Sequence, residues 1–299
     1  MQMQQIATKI LSCATMALAF TLSAHALTNQ TYISATGSDS GTCSSADPCA
    51  TITYALTQTK PGGEIVIATS GTYAPATITQ AVSVIAASSV DASILTTTAG
   101  ANALTIDTTG NVSINGITLR GGGTGNDGIL VTKVGVLRLN NMTIQHFAEN
   151  GIEFLSPSSE MAAYNSSLLD NGHDGLRVDA SGAHVYVEGS AFDKNVYAGG
   201  DSVEGKLTIS DSSAHFNTIG FFANGGSVTL YNDRAIFNTT GFQAHDGGNL
   251  RFANCLLSDN TNAWQITTGG ALYGSSPGTT LAAPGQTKSG TLSVPVTLN

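Results

Sequence analysis

The chain has 299 residues, 41% hydrophobic and only 10% charged, with 34 glycines and a formal net charge of −9. Such an acidic balance argues against nucleic acid, which needs a basic footprint to neutralise phosphates. Abundant Gly, Ser, Thr and Asn beside ample apolar residues describe a β-rich protein with polar turns, not a disordered acidic tail.

Residues 1–26 read as a secretory signal. A weakly basic start ends at Lys9, an apolar stretch runs from Ile10 to Leu22, and Ala24-His25-Ala26 supplies a small-x-small cleavage pattern, placing the cut near Ala26. A spanning helix takes about 20 apolar residues, so this stretch is too short, and no later segment has the length. The expected location is extracellular or periplasmic.

Residues 27–63 are expected to form an N-terminal cap. Cys43 and Cys49 lie six apart, and in an oxidising compartment they are expected to close a disulfide. Ile52, Ala55 and Leu56 have helical spacing and predict one short capping helix, broken by Lys60-Pro61-Gly62-Gly63. Cys255 has no His at a fixed distance and reads as a buried structural thiol.

From Glu64 onward, short β-branched runs alternate with Gly, Asn, Asp and Ser. Gly128, Gly151, Gly175, Gly199 or Gly200, Gly220 and Gly241 each open such a run, and Ala263 continues the series. Asn171, Asn195, Asn217, Asn238 and Asn260 recur beside it at spacings of 24, 22, 21 and 22. Self-similarity at this period signals a solenoid. Strand side chains alternate, so Ile129, Ile152, Leu176, Phe221, Phe242 and Trp264 share an inward column. Two places on, Val131, Phe154, Val178, Ala223, Ala244 and Ile266 form another, joined by Val203 if one residue is inserted. The column between them points out: Leu130, Glu153, Arg177, Phe222, Gln243 and Gln265. Asp201 stacks outward beside Arg177 if Gly199 sets the register, and inward if Gly200 does. The asparagines are assigned to equivalent turns, where Asn tolerates left-handed backbone and can bridge to the next turn. The predicted fold is all-β, a parallel β-helix over 64–270 of roughly nine or ten turns. Residues 271–299 are expected to be a C-terminal cap or tail.

The opening YISATGSDSGTCSSADPCATITYAL, then PGGEIVIATSGTY and the repeats, resembles the right-handed parallel β-helix proteins of the pectate-lyase-like superfamily. The opening signature covers about 32–73 and the generic repeats about 111–270. The resemblance implies a right-handed solenoid, with any active site on an outward strand face near its middle. It does not choose among lyases, hydrolases and adhesins.

Charged residues concentrate in that middle region. Arg177, with His173 and Asp174, is the candidate catalytic group. Glu153, Asp201, Phe222 and His245 are candidate substrate contacts, Phe222 as an exposed ring for sugar stacking. Glu153, Asp179 and Glu204 are candidate ligands for Ca²⁺, which takes six to eight oxygens. By resemblance to pectate lyases, calcium would neutralise a uronate carboxylate and Arg177 would serve as base or charge stabiliser of a β-elimination. A plainer account is a solvated charge ladder. Polygalacturonases of this fold use an Asp-Asp pair and an Arg-x-Lys; this chain has neither, and His173 is followed by Asp rather than Gly. The leading expectation is a secreted protein that binds polysaccharide or surface glycans on its outer face. A uronan lyase is the alternative, and a polygalacturonase-type glycoside hydrolase the second alternative.

Overall fold

The computed structural model describes residues 26–274, 279–281 and 285–292, so the expected signal segment falls outside the described residues except for Ala26. Every strand pairing is parallel, and successive turns stack into a β-solenoid of about nine turns. Each turn lays strands on three faces. Leu176–Glu188 crosses face one and bends onto face two, and Ala191–Asp193 follows on face three; Ala198–Ser210 and Ser213–His215 repeat the course one turn on. Long strands of this kind join faces one and two into one sheet, of 19 strands among the described residues, while face three forms a second, of 10.

The predicted helix forms at Ile52–Gln58. Thr51 caps it by accepting the Tyr54 N–H, and Ile52, Ala55 and Leu56 are its buried residues. Cys43 and Cys49 are disulfide-bonded. The solenoid begins within the cap, where Thr28–Ile33 already pairs with Thr59–Ile67. It also continues past Gly270 through Ala271–Gly274, Thr280–Leu281 and Thr287–Ser289.

The repeating glycine has a steric cause. A Cβ on Gly151, Gly175, Gly199, Gly220 or Gly241 would stand 2.5–2.7 Å from the carbonyl oxygen of the equivalent residue on the next turn. Only a residue without a side chain permits that approach. Gly199 belongs to this series, so Gly200 takes the inward place between Leu176 and Phe221, and Asp201 lies outward between Arg177 and Phe222. The next inward place is Ser202, opposite Val178 and Ala223. Val203 therefore does not join the core column; it is the extra residue of the register shift between Val178 and Asp179.

The asparagine row is buried and continuous. The backbone N–H and side-chain amide of Asn171 donate to Asn195 Oδ1 at 3.2 and 3.0 Å, and the same pair of bonds repeats from Asn195 to Asn217, Asn217 to Asn238 and Asn238 to Asn260. The left-handed backbone expected of these asparagines belongs instead to the residue before each: Asp170, Lys194, Phe216, Phe237 and Asp259. A serine row runs parallel, with Ser166, Ser190 and Ser212 hydroxyls and then Asp233 accepting a backbone N–H from the preceding turn. Asp233 is buried, which pushes its carboxyl up to about 7. Cys255 is buried as expected, and burial pushes its thiol up to about 12.

Candidate functional site

The unusual charges gather on face one. Register aligns Leu130, Glu153, Arg177, Asp201, Phe222 and Gln243 in one outward row crossing successive strands. Arg177 sits at its centre with its side chain 24% exposed. Its guanidinium donates to Asp179 Oδ2 at 3.0 Å and lies 3.8 Å from Glu153 Oε1 and 3.7 Å from Asp201 Oδ2.

These carboxyls are not ordinary surface acids. Asp201 is fully buried, and neither of its oxygens has a hydrogen-bond partner; the Asn224 amide stands nearby without reaching hydrogen-bond geometry. Burial, reinforced by the neighbouring Asp174 carboxylate, pushes Asp201 up to about 8, against the opposing pull of Arg177. It therefore holds its proton at neutral pH. Glu153 is also raised, by burial and then by Asp127, a carboxyl on the preceding turn that burial raises in its turn. Burial alone would lower Arg177, yet its hydrogen bond to Asp179, with the charges of Asp201 (once ionised at high pH) and Asp179, raises it on balance. A guanidinium so held favours charge stabilisation over the base role.

His173 and Asp174 form the second half of the site. His173 Nδ1 lies 3.0 Å from Asp174 Oδ2, and the half-exposed ring packs on Tyr197 with centroids 4.9 Å apart. Asp174 is fully buried, and its Oδ1 accepts the Ala198 N–H at 2.8 Å. Its bond to the imidazole raises His173 above its usual value. Asp174 also closes a ladder just ahead of the repeat glycines, in which Asn102, Asp127 and Asn150 side chains each accept the backbone N–H of the next turn. Beyond Asp174 the same row turns apolar at Ala198 and Ile219, which pack with Tyr197 and Phe222. Asp201 thus lies where the polar ladder gives way to an apolar cluster, which is why it finds no partner.

Phe222 corrects the sequence reading. It stands in the outward row, but Tyr197 and Ile219 cover it, and it is buried rather than presented to a sugar. His245 lies on the neighbouring turn, its ring 6.4 Å from Phe222 and its Nδ1 2.8 Å from Thr267 Oγ1. Glu153 and Asp179 both turn towards Arg177, while Glu204 stands exposed beyond the register shift. Among the described residues no three His, Cys, Asp or Glu side chains converge as a metal centre requires. The three candidate ligands Glu153, Asp179 and Glu204 do not form such a group. The sequence reading does not single out Tyr197; it stands one turn on from His173, in a column whose residues share no chemistry.

A family model described as a right handed beta helix region matches residues 158–281. No curated protein sequence matches the chain. Among solved structures, a pectate lyase, Pel9A, superposes with a TM-score of 0.70 at 18% identity, over 88% of this chain and 80% of that one. An alginate lyase from Paenibacillus sp. str. FPU-7 superposes with a TM-score of 0.63 at 18% identity, over 90% of this chain and 100% of that one. ORF18 of Geobacillus virus E2 gives 0.60 at 11% identity, over 84% and 59%. At such identities the likeness is one of fold. The chain folds as a right-handed parallel β-helix, a fold it shares with the pectate lyase and the alginate lyase.

Proposed function

We propose that this is an exported protein that binds a polysaccharide along the outer side of face one, with Arg177 at the centre of the contact. The observation that carries the reading is the Arg177 cluster itself. A solvated charge ladder, worth a few tenths of a kcal/mol per pair, would leave its carboxyls exposed and ordinarily acidic. Here Asp201 is buried, and both Asp201 and Glu153 are raised. The same row supplies hydroxyls at Thr77 and Thr105 on one side and amides at Gln243 and Gln265 on the other, groups that hydrogen-bond sugar hydroxyls. Strands lie about 4.8 Å apart, close to one pyranose ring, so a glycan parallel to the solenoid axis steps along the exposed members of the row, with Asp201 and Phe222 buried beneath it. A groove of about 620 Å³ lined by Thr77, Gln80, Asn102 and Thr105 extends the face at its N-terminal end. The lyases of the same fold support polysaccharide as the ligand class, and the Cys43–Cys49 disulfide supports export.

A glycan array followed by calorimetry tests this. Arg177→Ala is expected to weaken binding about tenfold, the loss of one charge-assisted contact, with the glycan recovered intact. Binding to no glycan, or a titration in which Arg177→Ala weakens no site, overturns the reading.

The second reading is β-elimination on a uronan, favoured by the Asp-oriented His173 beside Arg177. Neutral His173 would take the proton from the carbon next to the uronate carboxylate, and Arg177 would stabilise the charge developing there. The bond to the leaving glycosidic oxygen would break, with Glu153 supplying that oxygen's proton. Because Asp174 raises His173, the base form is gained, and activity rises, only as pH passes a value above 6.5. Unsaturated, ultraviolet-absorbing products from polygalacturonate or alginate, with and without Ca²⁺, and lost in both His173→Ala and Arg177→Ala, distinguish this reading from binding alone.

A further inference from the structure

The outward side of face two holds a groove of about 390 Å³ made by none of the residues above. Register stacks Arg138, Ala162, Tyr186 and Thr208 in one row, and Glu160, His184 and Lys206 in the next. Ala162 is the small member between Arg138 and Tyr186, so the row dips there into a notch. Tyr164 stands beside it, its ring centroid 6.0 Å from that of Tyr186 and inclined at 61°. The Tyr186 hydroxyl is fixed by donation to Glu188 Oε2 at 2.9 Å and lies 3.0 Å from Ser210 Oγ.

The charge of this groove runs against that of the chain. Arg138, His184 and Lys206 are exposed along it, with Glu160 the one acidic side chain in its lining. Among the described residues no carboxylate lies within 4.0 Å of Arg138 or Lys206. Two unpaired cations around an aromatic notch are an unusual grouping in a protein with 11 Lys and Arg residues and a net charge of −9.

We propose that this groove is a second glycan site, taking a uronate-bearing sugar, separate from the Arg177 site and on a different face. The apolar side of a pyranose ring packs on the tyrosines. The planar guanidinium of Arg138 pairs with the sugar carboxylate through two parallel N–H bonds, and Lys206 attracts the same charge across the notch. The two strands that carry Arg177 and Asp201 run on to carry His184, Tyr186 and Lys206, so one segment of chain supports both sites.

The test is calorimetric titration of the full chain with a short oligogalacturonate in an Arg177→Ala background, with folding checked by circular dichroism. One site of undiminished affinity is expected to remain beside the weakened one. Adding Arg138→Ala and Lys206→Ala is expected to weaken it at least about tenfold, as is Tyr186→Ala, whereas Tyr186→Phe, which keeps the ring, retains it. Absence of binding in the Arg177→Ala background, unchanged affinity without Arg138 and Lys206, or equal affinity for a neutral or a sulfated oligosaccharide overturns the proposal. Since Arg177→Ala weakens only the face-one site, and Arg138→Ala with Lys206→Ala only this one, failure of one site is distinguishable from failure of the other.

Discussion

At the scale of single residues, Asp201 and Arg177 are close neighbours with opposite needs. Arg177 gains from a charged partner, while Asp201, buried without a hydrogen bond, is held protonated. The folded value of Asp201, about 8, lies above its ordinary 3.8. Its contribution is therefore fully present at low pH and is lost as pH rises from about 4 to about 8, with a slope of up to about 1.4 kcal/mol per pH unit for one proton. Asp233, raised to about 7, acts in the same direction. The melting temperature is expected to fall between pH 5 and pH 8, and Asp201→Asn to flatten that fall; a wild-type profile that rises over this range contradicts the assignment. The outward placement of Asp201 was one of two registers readable in the sequence, since alternation orders residues once the glycine is fixed. Its burial was not readable. It depends on Tyr197 and Phe222 closing over the strand, and no period in the sequence reports how a turn folds back.

Among the elements, the buried asparagine row is the feature whose role is most directly measurable. Asn217 accepts from the backbone and side chain of Asn195, and its amide donates to Asn238 and to the Phe192 carbonyl. Asn217→Ala strands the two Asn195 donors in a buried site, at about 1–3 kcal/mol for each. A loss of about 3–5 kcal/mol in denaturant unfolding is expected, and a loss under 1 kcal/mol would mean that water replaces the amide. The even spacing of these asparagines was visible in the sequence, as were the inward columns, because both repeat with the turn. The left-handed position one residue earlier was hidden, since Asp, Lys and Phe share no chemistry there. The aromatic notch on face two is not legible in the repeat for a related reason: Tyr164 and Tyr186 occupy adjacent rows rather than one column.

For the whole molecule, the strands beyond Gly270 matter more than their composition suggests. Their Gly, Ser, Thr and Pro content reads as a tail, yet Gln286 Oε1 accepts from both donors of Asn260, at 3.3 and 3.2 Å, and its amide reaches the Leu257 carbonyl. Truncation after Gly274 is expected to lower the melting temperature, with hydrogen exchange rising first around Asn260 and Asn238; uniform loss of protection along the solenoid would instead mark a single cooperative unit. The asparagine row also has a direction. Each asparagine-to-asparagine bond is donated by the earlier turn to the later one, while the same amides also reach back to a carbonyl of the preceding turn, so each turn is completed by the turn made after it. Synthesis starts at the other end, and each new turn carries open donors until its successor arrives. Gln286 takes up the open donors of Asn260, so the stretch of the row from Asn171 to Asn260 assembles in one direction, each turn satisfied by the one delivered after it.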